Sequence, residues 1–166
     1  MEVSYTTPTD PAQLNPVTLS EQLSETVHAA YLWLSALTDE EAATPLAEDK
    51  WSPKQIIGHL TDSAVNNLAR IVRAQIGPER LPSYEANAWV DLQHYAERDW
   101  PQVLSLWLAL NEHVSWTIRH VVQRNLSNHV SLAGTVVTLG FIIEDYIAHM
   151  RHHFSTLEPW VKARHQ

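Results

Sequence analysis

Three histidines and a set of polar residues near them are where this sequence can do chemistry. His149 and His153 lie four apart in Asp145-Tyr146-Ile147-Ala148-His149-Met150-Arg151-His152-His153. On a helix that spacing stacks two side chains on one face, where two imidazoles can converge on a single metal ion. Ile142, Tyr146, His149 and His153 form one helical stripe, beside the apolar stripe Ile143, Ile147, Met150, Phe154 and Leu157. The pair therefore falls on the half of the helix that faces a core, where a buried imidazole needs partners on both nitrogens. A third histidine, His59, stands at the edge of the apolar side of an earlier helix. Ser63, Asn66 and Arg70 follow it along one line, with Asn67 between that line and the apolar side. This polar ladder reads as one wall of a wet pocket. Three imidazoles with open positions left over are the arrangement of catalytic zinc, whose coordinated water becomes acidic. Arg70 suits a substrate carboxylate or phosphate. Asp62 is the nearest candidate base, although a solvated helix-surface aspartate is the plainer reading. His152 points away from His149 and reads as a pocket residue rather than a ligand. Asp145 could accept from His149 or simply face water.

The elements that must position these residues are punctuated clearly. Asn15-Pro16 reads as a cap with proline at the first helical position, opening a helix to about Leu37. Thr38-Asp39-Glu40-Glu41 is a capping box for a short second helix, and Ser52-Pro53-Lys54-Gln55 opens a long one that stops at Gly77-Pro78. Residues 78–99 form a connection too long to be structureless, with a short helix between Tyr84 and Tyr95. Asp99-Trp100-Pro101-Gln102 starts the next long helix. Residues 125–137 read as a small hairpin or irregular turn around Ala133-Gly134, and Thr138 caps the last helix, which runs to about Lys162. Four long amphipathic helices predict an all-α four-helix bundle with short additions, as one domain over residues 1–166, with 1–15 an extended N-terminal arm. The long connections permit a topology other than plain up-and-down.

Composition narrows the chemistry further. The 166 residues carry a formal charge of −8, contain no cysteine, and include 4 glycines and 10 histidines. Without thiols, a transition-metal site must use imidazole and carboxylate, and disulfides and cysteine nucleophiles are excluded. Average usage would give about 12 glycines, so a glycine-rich nucleotide loop is close to excluded. The acidic balance opposes a phosphate-binding face for nucleic acid. No apolar run reaches the ~20 residues that span a bilayer, and Met1-Glu2-Val3-Ser4 does not read as a signal peptide. The expectation is a cytoplasmic protein with a small-molecule substrate and neither nucleic acid nor membrane as partner.

Trp51-Ser52-Pro53-Lys54-Gln55-Ile56-Ile57-Gly58-His59-Leu60, followed by Asp62-Ser63 and Asn66, resembles the signature of the DinB-like (YfiT-like) metalloprotein superfamily. The final-helix histidine pair matches its H-x-x-x-H, and Tyr84-Glu85-Ala86-Asn87-Ala88-Trp89 is similar to a linker segment of its YfiT-like branch. The similarity extends over about residues 18–160. It implies a four-helix bundle, usually a homodimer, with a divalent metal, zinc or nickel, held by His59, His149 and His153. Characterised members include transferases that use bacillithiol or related low-molecular-weight thiols and a mycothiol-dependent maleylpyruvate isomerase; others are named as metal-dependent hydrolases. Three readings follow. In the first, a thiolate bound at the metal attacks a small electrophile, with Tyr84, Trp89, Trp116 and Tyr146 walling the pocket. In the second, water activated at the metal hydrolyses an ester, amide or phosphoester. In the third, the chain is a non-catalytic, stress-associated metal-binding bundle.

Overall fold

The computed structural model describes residues 4–165. Four long helices form the body: α1 (Pro16–Leu34), α3 (Pro53–Ile76), α5 (Trp100–Arg119) and α6 (Leu139–Lys162). Short helices α2 (Asp39–Ala43) and α4 (Ala86–Leu92) lie in the connections. The expected caps are made. Asn15 accepts from the amides of Val17 and Thr18, Thr38 and Ser52 each complete a capping box, and Thr138 accepts from Phe141. The first helix stops at Leu34, a turn before Leu37, with the Ser35 amide still bonded to the carbonyl of Tyr31.

Both α1 and α3 pack on α5 and α6, so successive long helices α1 and α3 sit diagonally across the bundle. The bundle is therefore not plain up-and-down. Its core is apolar on all four helices, with Leu23, Leu34, Ile57, Leu60, Trp107, Ile118, Ile143, Met150 and Leu157 fully buried. No helix among the described residues is long and apolar enough to cross a membrane.

The segment before α6 is a two-residue hairpin of β2 (His129–Leu132) and β3 (Thr135–Thr138), with Leu132 opposite Thr135. Ala133 and Gly134 both take positive φ, 49° and 84°, the backbone whose twist matches that of the flanking strands. The long connection adds a strand that the sequence did not reveal. β1 (Arg80–Leu81) pairs parallel with β2, Arg80 opposite Ser131.

Two anchors fix the start of α3, the half that carries His59. Lys54 is 3% exposed and reaches Asp39 of α2 at 2.9 Å. Asp39 also accepts from the Trp100 amide at the start of α5. The Lys54 ammonium holds the Asp39 carboxyl below the usual range, helped by that amide. The second anchor is Tyr95, which follows α4 and lies flat over Gly58. A Cβ on Gly58 would stand 2.3 Å from its ring. Glycine is required there for the close approach, not for backbone conformation.

Candidate metal centre

Capping and periodicity bring the three histidines together at one level of the bundle. His59 lies in the second turn of α3, and His149 and His153 lie one turn apart on the facing side of α6. The Nε2 atoms of His59 and His149 are 3.1 Å apart, as are those of His149 and His153. All three ligand nitrogens lie within 4.8 Å of one another. The ring centroids are 4.7–5.0 Å apart and the planes steeply inclined, so edges converge rather than faces. His59 is 6% exposed, deeper than the edge position that its helical angle suggested. The bulk over it is Trp51, whose ring lies 5.2 Å away.

Burial holds all three imidazoles in the neutral form. Desolvation lowers the pKa of His59 to about 4 and of His153 to about 4, and that of His149, pressed also by its neighbours, to about 3. The donor set fits a cation. A neutral Nε2 has one lone pair, so a single proton satisfies only one of the two 3.1 Å contacts at His149. A divalent ion among the three would accept from each. The two separations at His149, both 3.1 Å, are close to the ~3.4 Å edge of a tetrahedron built on bonds of about 2.1 Å. His149 Nδ1 lies 3.4 Å from the Ser63 hydroxyl, a neighbour on the far nitrogen that steadies the ring.

The centre opens into a cavity of about 640 Å³. Ser63, Asn67, Arg70, Tyr84 and Tyr146 of the expected pocket residues line it. Asn67 donates to the Ser63 carbonyl, and Arg70 to the Pro82 carbonyl at 3.2 Å. The Tyr146 hydroxyl donates to Asn111, and burial raises its pKa. Asn66, Trp89 and His152 do not line this cavity. Asn66 donates to the carbonyl of Asp62. Trp89 packs against Tyr84, ring centroids 5.1 Å apart, and Tyr84 stands between it and the space. His152 is exposed and borders a second, more open hollow. Trp116, also expected as a wall, is 63% exposed and packs at a tilt against His120 instead.

Asp62 is neither solvated nor a base at the centre. It is 1% exposed and points to the α4 side, where Oδ1 accepts from the Tyr95 hydroxyl and from Gln93, both at 2.7 Å. Burial raises its pKa against those two bonds. Its task is to dock residues 93–95 on α3. The helical wheel places Asp62 correctly and is silent about what arrives to cover it.

Two parts of the cavity wall come from elements that the sequence showed but did not assign to the pocket. One is the hairpin, which contributes Val136 and Val137. The other is the N-terminal arm, where Ser4, Tyr5 and Pro8 close one side. The arm is held by α6. Asp145 accepts from the Ser4 hydroxyl and from the amides of Tyr5 and Thr6, and Glu144 accepts from the amide and hydroxyl of Thr9. Asp145 thus binds the arm rather than His149. The Tyr5 ring rests 4.8 Å from that of His149 and 5.1 Å from that of His152.

Comparison with known proteins identifies the fold and the family. The DinB superfamily model matches residues 22–157. A Bacillus subtilis (strain 168) protein named "Putative metal-dependent hydrolase YfiT" is 26% identical over 129 residues, covering 74% of this chain and 70% of its own length. The solved structure of YfiT from Bacillus subtilis, described as having an unusual four-helix bundle topology, superposes with a TM-score of 0.84 at 18% identity. That match covers 96% of this chain and 93% of the other. The fold is shared, and on the extent of the family match this chain belongs to the DinB superfamily.

Proposed function

We propose that the chain is a metal-dependent enzyme whose His59, His149 and His153 hold a divalent cation, zinc or nickel, beside a small-molecule cavity, and that it transfers a low-molecular-weight thiol to an electrophilic substrate. The observation that carries the reading is three buried, neutral imidazoles converging at the edge of a cavity of about 640 Å³. When bound, such a cation supplies Lewis acidity and brings the pKa of a thiol or water toward neutrality.

The chain's own residues do the positioning. Trp51 and Tyr5 cover the histidine rings and limit water. Ser63 steadies His149. No carboxylate among the described residues joins the histidine cluster: Asp62 is committed to Tyr95 and Gln93, and Asp145 to the arm. Among the described residues, then, the acidity at the centre would come from the bound cation rather than from a neighbouring carboxylate. Thiol transfer is favoured by a second hollow of about 670 Å³ that shares Trp51 and His153 with the cavity, so the centre borders two spaces for two reactants. The chain has no cysteine, so that thiol has to enter from solution. Hydrolysis is the second reading, and the name carried by the Bacillus subtilis relative favours it.

The test is turnover of ester and electrophile panels by metal-loaded protein, with and without bacillithiol, glutathione or a mycothiol analogue. Thiol-dependent product supports transfer. Thiol-independent hydrolysis that rises with pH around neutrality supports the second reading, and no turnover under any condition contradicts both.

A further inference from the structure

Away from the histidines the cavity has a continuous apolar wall. Leu132, Val136 and Val137 come from the hairpin, and Phe141 and Ile142 from the first turn of α6. Phe141 lies eight residues before His149, so this wall reaches about 12 Å along the helix axis from the centre. Val136 is 67% exposed, and Leu132, Val137 and Phe141 are half-buried. Large apolar side chains left open on a concave wall favour whatever covers them with carbon rather than water. The charged side chains among the described lining residues are engaged within the protein. Asp145 accepts from the Ser4 hydroxyl and from the amides of Tyr5 and Thr6, and Arg70 donates to the Pro82 carbonyl. The buried Asn67 donates to Ser63, and the Tyr146 hydroxyl to Asn111. A charged ligand group placed on this wall gives up its water and meets mostly carbon. The volume of about 640 Å³ is about four times the ~150 Å³ that encloses one benzene ring.

We propose that this cavity takes small, neutral substrates with an apolar body, of the size of a medium-length alkyl chain or a bicyclic aromatic. The reacting group sits at the histidines, and the apolar body lies along the hairpin and the first turn of α6. The proposal rests on the metal reading above and adds the substrate class to it.

The test is binding by titration calorimetry to zinc-loaded protein and requires no turnover. Acetohydroxamate probes the metal alone. Butano- and hexanohydroxamate lengthen the apolar body, and the monohydroxamate of adipic acid puts a carboxylate on the end of a similar chain. Each methylene that reaches the wall should strengthen binding by up to about fourfold. After the cost of ordering the chain, hexanohydroxamate is expected to bind at least about tenfold tighter than acetohydroxamate. The adipic acid derivative should lose most of that gain. Phe141→Ala and Val136→Asp should each lower the ratio of the two affinities. If Phe141→Ala does not fold, Val136→Asp decides, because the Val136 side chain is mostly in solvent. Equal affinities at every length, a gain that survives every folded variant, or an adipic acid derivative that binds as tightly as hexanohydroxamate overturns the proposal while the metal reading stands. Acetohydroxamate that does not bind strikes the metal reading and takes the proposal with it.

Discussion

Replacing Gly58 with alanine adds a methyl group where there is no room for one. The new Cβ would lie 2.3 Å from two ring carbons of Tyr95 and 2.8 Å from a third, against an ordinary carbon contact of about 3.5–4.0 Å. The ring has to retreat by more than about 1 Å. Tyr95 is 3% exposed, and its hydroxyl is bonded to Asp62 at 2.7 Å, so it cannot retreat without loosening that bond. Overpacking costs about 1–3 kcal/mol, and a weakened buried hydrogen bond costs about 1–3 kcal/mol. Alanine's helical preference returns about 1 kcal/mol. The net expectation is a loss of about 1–5 kcal/mol, or about 2–20 °C in Tm for a chain of this size. Urea unfolding followed by circular dichroism measures it. A double-mutant cycle identifies the cause. In a Tyr95→Ala background the ring is gone, and Gly58→Ala should become neutral or stabilising by up to about 1 kcal/mol. A Gly58→Ala protein as stable as the parent, or an equal loss in both backgrounds, would refute the reasoning.

Other consequences can be measured on the same preparations. Asp62→Ala takes away the 2.7 Å acceptor that the Tyr95 hydroxyl and the Gln93 amide share, leaving them the longer bonds to Gln93 Oε1 and the Trp89 carbonyl, each 3.1 Å. It should cost about 2–3 kcal/mol in urea unfolding and leave metal content unchanged; lost metal would place Asp62 at the centre after all. The chelated protein should weaken as pH falls from about 6.5, the unfolded imidazole value, to about 4. Burial holds the folded pKa values of His59 and His153 near 4 and that of His149 near 3, so the unfolded chain binds more protons in that window. Above about 6.5 these groups should contribute no slope, and urea midpoints that stay flat from pH 7 to 4 would count against neutral buried histidines. Asp145→Ala should speed hydrogen exchange at the amides of Tyr5 and Thr6 by about tenfold or more. Unchanged exchange would mean that the arm is held by something else.

What could be read from the sequence was mostly local. Ser52 and Gln55 mark the start of α3, Gly77 and Pro78 its end, and Thr138 the start of α6. The hairpin showed in Ala133-Gly134 because a two-residue turn has its own residue chemistry. The convergence of His59 with His149 and His153 was legible because each sits on a helix whose buried side periodicity defines. Long-range contacts were not legible. β1 is two residues long, and only the edge of β2 makes it a strand. Asp62 has a clear place on the helix, but its partners come from residues 93–95. Tyr5 carries no signal at all, since Asp145 and Glu144 on the last helix decide where it lies. The diagonal placement of α1 and α3 follows from packing across the whole bundle, which the spacing of apolar residues on each helix leaves open.

The central claim is that His59, His149 and His153 together hold one divalent cation. Elemental analysis of the purified protein beside His59→Ala, His149→Ala and His153→Ala variants tests it most directly. Each variant is first shown to be folded by circular dichroism. The account predicts about one equivalent of zinc or nickel per chain in the parent and its loss in each variant. Metal that persists undiminished when all three histidines are replaced in turn would contradict it.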